Sequence, residues 1–409
     1  MARDADFPAS VIDAVSKRAG LRCSVPSCDA TTSGPGAGEA ESANVGTACH
    51  IYAASDGGPR GTGGLGVEAR KSISNAIWCC GRHGRLIDTN EGGRYPAELL
   101  KQWKRFHEAR IAKEMSGQRT ELGWVDHLEV VESPLFSKVA KIELSKCTLL
   151  YCSKANGKTA ICEWIGGFFW PDRLDRWRAY EHDVRLNYFA PEPVSLKLDI
   201  SDGEVRRFRD GQRAVDQPPD LSIVHLPEDV HRAFPPTDFK DDLSWLSAVL
   251  DASPEDIQHL CTEVRDNGHN LCRLMEFRRE PLDDEEANSE SGSFLYVAVH
   301  NPSMKLQFGA LATSEQFMVL AQLAAALARM RAKHKPTLLL IDAAGWNWGE
   351  GLFEAFAPFI AREPYQTVLT YGYRKFDLAD PAWKDWGAIE LQRDSGGGST
   401  VACIERATN

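Results

Sequence analysis

The sequence predicts two domains of different class. Residues 1–115 read as a small α+β domain stapled by metal, and residues 136–409 as an α/β domain on a largely parallel sheet. Three observations carry this. Four of the 11 cysteines fall in two tight pairs, 23/28 and 79/80, inside a glycine-rich segment. The helical pattern "SEQFMVLAQLAAALARMRAKH" runs directly into "PTLLLID", a continuous apolar strand, as in sheets covered on both faces. Finally, the apolar strand "CTLLY" leads through "CSKANGKT" into another helix.

The bulk numbers fit an ordinary soluble chain. At 409 residues, 43% hydrophobic and 26% charged, there is material for two or three cores. No run approaches the roughly 18 apolar residues of a membrane helix, and the charged N-terminus is no secretory signal. Cytoplasm is the expected compartment, with no membrane partner. The net charge of −11 argues against a surface coated with nucleic acid. Residues 1–115, however, hold 15 Lys and Arg against 13 Asp and Glu, so the front end tolerates a local basic patch.

Taken in order, "MARDADFPASVIDAVSKRAG" predicts an amphipathic helix. The loops "TTSGPGAGEAESANVG" and "SDGGPRGTGGLG" cannot build a large apolar core, so this domain needs a staple. It closes on a helix in which Leu99, Leu100, Trp103 and Phe106 recur at helical spacing, with His107 as a surface or packing residue. Residues 116–135 are expected as a linker. Beyond it, "SKVAKIELSKCTLLYC" predicts a strand, a turn and a buried strand; "TAICEWIGGFF" a helix; "VSLKLDI", "LSIVHL" and "SFLYVAV" short strands. The acidic stretch "EPLDDEEANSESGS" reads as a solvated loop. An odd cysteine count without an export signal argues against disulfides, and Cys147, Cys152, Cys162, Cys261, Cys272 and Cys403 read as small buried hydrophobes.

Soft thiolates and an imidazole suit tetrahedral zinc, and Cys23, Cys28, Cys80 and His83 form such a set. Cys79 competes with Cys80, but neighbours on a strand point oppositely, so one alone serves. Between the pairs lie "TACHIYAASDGGPRG" and "SISNAIWCC". This order, a cysteine pair, His-Ile, Asn, Cys-x-x-His and then "LID", resembles the HNH endonuclease family over about residues 20–110. The resemblance implies a ββα-metal fold acting on double-stranded DNA. In it His50 is the general base, Asn75 orients His50 by a side-chain hydrogen bond, Mg2+ or Mn2+ sits at the phosphate, and the Cys3His set holds structural zinc. Two positions depart from the family: Cys49 stands where an acid often precedes the histidine, and Gly84 where a second histidine often follows. Asp88 is the expected substitute ligand, with Asp56 behind it.

"CSKANGKT" nearly fits GxxxxGK[ST], with Cys152 in place of the first glycine. Backbone N–H groups there would cradle phosphates, with Gly157 in the loop, Lys158 on the terminal phosphates and Thr159 on Mg2+. With Asp342 ending "TLLLID" and "LATSE" (311–315) upstream, residues 136–375 resemble the ABC-type ATPases of the RecF and SMC group. That resemblance implies ATP bound between two copies, with Ser314 near the partner's γ-phosphate and a homodimer or larger assembly. Three losses predict poor hydrolysis: Ala343 for the water-positioning glutamate, Ala312 for the signature serine, and Gly372 where the switch histidine falls. Together the two halves read as an HNH endonuclease regulated by a degenerate ATP-binding domain, as in anti-phage defence effectors. The alternatives are a non-catalytic zinc-stapled DNA-binding or sensor protein, and an HNH effector whose C-terminal domain senses cyclic oligonucleotides.

Overall fold

A computed structural model describes residues 5–25, 28, 30–115, 125–152, 156–189, 193–266, 274–281, 291–298, 303–344, 350–372, 383 and 385–404. The chain divides into two compact units. Residues 1–120, with 189–193 and 332–336, form the first, and the remainder forms the second.

The first unit opens with α1 (Ala9–Arg18). A hairpin-like pair follows, β1 (Gly46–His50) antiparallel to β2 (Ala76–Cys80), in register from Gly46 opposite Cys80 to His50 opposite Ala76. The helix α2 (Gly81–Leu86) begins on the residue after β2. β2 reads "AIWCC" and is buried on both faces: Ala76 and Trp78 pack toward Val15 and Ala19, Ile77 and Cys79 toward Ile51, Ile87 and Leu100. The closing helix α3 (Ala97–Met115) buries Leu99, Leu100, Trp103 and Phe106, as their spacing predicts. His107 turns out to be a packing residue. It is buried, its Nε2 donates to the Ala19 carbonyl at 2.8 Å, and burial pushes its pKa below the ordinary value.

In the second unit, β3 (Val125–Glu132), β4 (Ala140–Glu143) and β5 (Cys147–Cys152) precede α4 (Lys158–Gly167). Then come β6 (His182–Phe189), β7 (Pro193–Ser201), β8 (Glu204–Arg209) and β9 (Ser222–Leu226). The helices α5 (Asp242–Leu250) and α6 (Pro254–Asp266) lead to β10 (Leu274–Pro281) and β11 (Ser291–Ala298). The chain ends with α7 (Thr313–Ala332), β12 (Thr337–Ala343), α8 (Glu350–Ala361), β13 (Gln366–Gly372), β14 (Gly387–Arg393) and β15 (Ser399–Ile404).

The central sheet has the order β9-β12-β13-β5-β14-β15. Its first five strands run parallel and only β15 is reversed. Every residue of β12 is buried, which is why "TLLLIDA" is a continuous apolar run instead of an alternating one. α7 is buried without interruption from Phe317 to Ala328, so small alanines line it all round. Because β5 and β12 are parallel, the C-terminal ends of both reach the same sheet edge.

Two expectations change. The segment 116–135 is not linker throughout, because Val125–Glu132 forms β3; residues 116–124 lie outside the described residues. A second sheet also appears, antiparallel, with Gln212–Arg213, β8, β7, β6, β3 and β4 in that order. Its signature is the strict alternation of buried and half-buried positions along β6 and β7. Cys147, Cys152, Cys162 and Cys261 are buried free thiols as expected, whereas Cys272 and residues 282–290 of the acidic stretch lie outside the described residues.

Candidate metal centre and nucleotide site

The metal centre is assembled by short-range structure. Cys23 and Cys28 sit on the loop after α1, Cys80 ends β2 and caps α2, and His83 lies one turn into that helix. Their ligand atoms all lie within 4.8 Å of one another. His83 Nδ1 is 3.6 Å from the Cys23 sulfur and 3.4 Å from the Cys80 sulfur. A tetrahedron with Zn–S of about 2.3 Å and Zn–N of about 2.0 Å has sulfur-to-nitrogen edges of roughly 3.5 Å. The donor set and its spacing therefore fit zinc. Cys80, not Cys79, is the fourth member; Cys79 is fully buried behind it. Hydrogen bonding from the Cys79 thiol, with further donors from Cys80 and Val25 main chain, pushes Cys23 down to about 4.

His50 ends β1 in the same unit. Its ring stacks on Phe7 at 3.8 Å and 8°, and its Nε2 lies 2.8 Å from the Ala5 carbonyl. A carbonyl only accepts, so Nε2 carries a proton. Asn75 acts differently from expectation. Its Oδ1 accepts from the Tyr52 N–H at 2.8 Å, and its Nδ2 donates to the carbonyls of Tyr52 and Arg70. It pins the main chain leaving His50, not the ring.

Asp88, the expected substitute metal ligand, is held by an arginine. Its Oδ1 takes Arg60 Nη2 at 2.7 Å, so an arginine already neutralises the carboxylate. Arg60, the last residue of "GGPR", also donates to the carbonyls of His50, Ile51 and Ile87. This buried guanidinium organises the loop below His50, and sequence reading quoted it without seeing its role. Asp56 is 93% exposed and pairs with Arg70 at 3.5 Å.

The two family departures touch each other. A Cβ on Gly84 would stand 2.6 Å from Thr47 Cγ2 and 3.1 Å from the Cys49 sulfur. A histidine at 84 would therefore have to displace the Thr47 and Cys49 side chains. Among the described residues, the Cys3His set is the only group of three or more candidate ligands. Near His50, Asp88 is engaged by Arg60, so a divalent cation there would draw its remaining ligands from water and a DNA phosphate.

In the second unit, Gly157 takes the left-handed conformation (φ +92°) and starts α4, a turn an L-residue resists. Lys158 is 5% exposed, and its ammonium contacts Cys152 itself, 2.8 Å from the sulfur and 3.3 Å from the carbonyl. Residues 153–155 of the loop lie outside the described residues. Thr159 Oγ1 donates to Glu228 at 2.8 Å. Asp342 is 1% exposed, accepts from Thr370 Oγ1 at 2.5 Å, and is pushed up to about 6 by burial, with the charge of Glu228 adding to it. So Lys158, Thr159 and Asp342 share one sheet edge, and Glu228 joins them. Glu228 follows the apolar strand "LSIVHL" as Asp342 ends its own, a signal open to the same reading but overlooked.

The hydrolytic losses have a steric side. A Cβ on Gly372 would lie 1.9 Å from the Ala344 carbonyl, so no side chain fits there, and Ala343 is fully buried. Ser314 stands half-buried in the first turn of α7, where the Ala312 N–H is taken by the Glu315 carboxylate at 3.0 Å.

No protein-family profile and no curated protein matches the chain. Solved structures do. An SMC head bound to the C-terminal winged-helix domain of ScpA is 14% identical, covering 69% of this chain and 97% of its own, with TM-score 0.49. The SMC head domain from Thermotoga maritima is 14% identical over 69% and 99%, TM-score 0.41. The recombination mediator RecF with ATP is 9% identical over 69% and 99%, TM-score 0.41. At such identities and scores, the reading of both sites rests on the chain's own geometry. No described helix is long and apolar enough to cross a membrane.

Proposed function

We propose that this chain is an HNH-type DNA endonuclease governed by a nucleotide-binding domain that hydrolyses ATP poorly. The observation that carries it is the anchored imidazole of His50. With its Nε2 against the Ala5 carbonyl and its ring flat against Phe7, the imidazole is held in one orientation, as a general base toward a water attacking a phosphodiester would need. The β1–β2–α2 order beside a zinc-fitting Cys3His set supports the same reading. On this reading the substrate is double-stranded DNA. Gly157, Lys158, Thr159 and Asp342 hold ATP with Mg2+, and Ser314 faces the nucleotide of a second copy. A part in anti-phage defence follows from the domain pairing alone.

The test is plasmid nicking in Mg2+ or Mn2+. Wild type is expected to nick and His50→Ala to lose activity by about 100-fold or more; equal nicking by the two sinks the nuclease reading. A second reading, DNA binding without cleavage, is favoured by the Arg60–Asp88 pair and by Cys49 and Gly84 standing where the family often has an acid and a histidine. It predicts salt-sensitive DNA retention in gel-shift assays and no nicking with any metal.

A further inference from the structure

We propose that Cys152 and Lys158 form a redox modification site, where a peroxide-class oxidant closes a covalent sulfur–nitrogen link between their side chains. What the link does to nucleotide rests on the nucleotide-site reading; the link itself does not.

The observations meet at the end of β5. Lys158 opens α4 yet is 5% exposed, and its ammonium lies 2.8 Å from the Cys152 sulfur and 3.3 Å from the Cys152 carbonyl. A lysine this deeply buried ordinarily pairs with a carboxylate. Among the described residues this one pairs with none, and both its hydrogen bonds go to Cys152. The contact is fixed from both sides. Gly157, at φ +92°, turns the chain so that α4 starts over the strand end. Cys152 is 5% exposed and held in register opposite Gly372 of β13. Outside the Cys3His set, no other described thiol has a side-chain nitrogen within hydrogen-bonding contact.

The chemistry needs only these two groups and the oxidant. Hydrogen peroxide gives one oxygen to the Cys152 thiol and leaves as water, so sulfur loses two electrons to the O–O bond and becomes a sulfenic acid. Lys158, having passed its extra proton to solvent, attacks that sulfur with the nitrogen lone pair. The S–N bond forms as the S–OH bond breaks, and the hydroxyl departs as water with a proton from the nitrogen. In sum, thiol, amine and peroxide become a sulfenamide and two waters. Burial shields the new bond from hydrolysis. Two molecules of a thiol reductant reopen it, leaving as their disulfide. While linked, Lys158 has no ammonium to offer a phosphate. Cysteine at 152, where the motif has its first glycine, thus supplies a reversible lock that glycine could not.

Peptide mass spectrometry of the full-length, zinc-loaded protein treated with hydrogen peroxide tests this. Wild type is expected to yield residues 152 and 158 joined and lighter by two hydrogens, with the join undone by dithiothreitol. Cys152→Ser and Lys158→Arg should show no join, and neither should wild type treated in guanidinium, where the contact is lost. Lys158 recovered unlinked, with Cys152 either untouched or carried on to the sulfinic acid, overturns the proposal. So does equal joining in guanidinium, and a join carrying an extra oxygen overturns the S–N bond. Calorimetric ATP titration of the oxidised and re-reduced preparations separates this from the nucleotide reading. Linking is expected to weaken ATP binding at least about tenfold, as loss of one charge-assisted bond implies, and reduction to restore it. A reversible join in a protein that binds no ATP in either state keeps the modification site and removes the nucleotide reading; ATP binding without any join does the reverse.

Discussion

Single residues decide what this molecule can and cannot recover. Gly84 shows why restoring a family residue is not restoring a function. With Thr47 Cγ2 and the Cys49 sulfur at 2.6 and 3.1 Å from its would-be Cβ, Gly84→His must displace those side chains. We expect a loss of about 1–3 kcal/mol in urea unfolding, typical of overpacking, and no gain in nicking. Sequence reading found Cys23, Cys28, Cys80 and His83 because metal ligands keep their chemistry and spacing whatever surrounds them. It did not foresee the partner of Asp88, because a carboxylate's surroundings are set by the fold, and Arg60 lies 28 residues away in sequence. Asn75 was legible as important but not as a main-chain clamp, since side-chain amides bond backbone and side chain with equal ease.

At the level of elements, the Cys3His set is expected to act as a staple for the first unit. β1 and β2 contribute five residues each and α2 six, far short of a self-supporting fold. Structural zinc adds roughly 10–16 kcal/mol in small domains. Chelation, or Cys80→Ser, is therefore expected to abolish hydrogen-exchange protection across 46–86 while β5, β12 and β13 stay protected; retained protection in 46–86 would rule out the staple. The wholly buried strands and α7 were readable because continuous burial leaves continuous apolar sequence. The antiparallel sheet was not, because it mixes near and distant partners: β7 and β8 form a tight hairpin, but β3 pairs with β6 across β4, β5 and α4.

For the whole molecule, pH is the sensitive variable. His225, in β9, and His182, in β6, are buried with neither ring nitrogen bonded. Burial pushes them down to about 3 and about 4, from an ordinary 6.5. The folded values lie below the unfolded one, so acid favours the unfolded chain. The stabilisation is complete above about pH 6.5 and fades as pH falls toward 3. At pH 5 His225 alone costs about 2 kcal/mol. Wild type should thus lose more stability between pH 7 and 5 than His225→Leu, as read by denaturant midpoints; parallel pH profiles would refute this. The steric block at position 372 reaches further. There the Ala344 carbonyl occupies the very volume a side chain would need. A side chain at 372 therefore needs the main chain after β12 to retreat first, so one substitution there cannot by itself install an imidazole at this sheet edge.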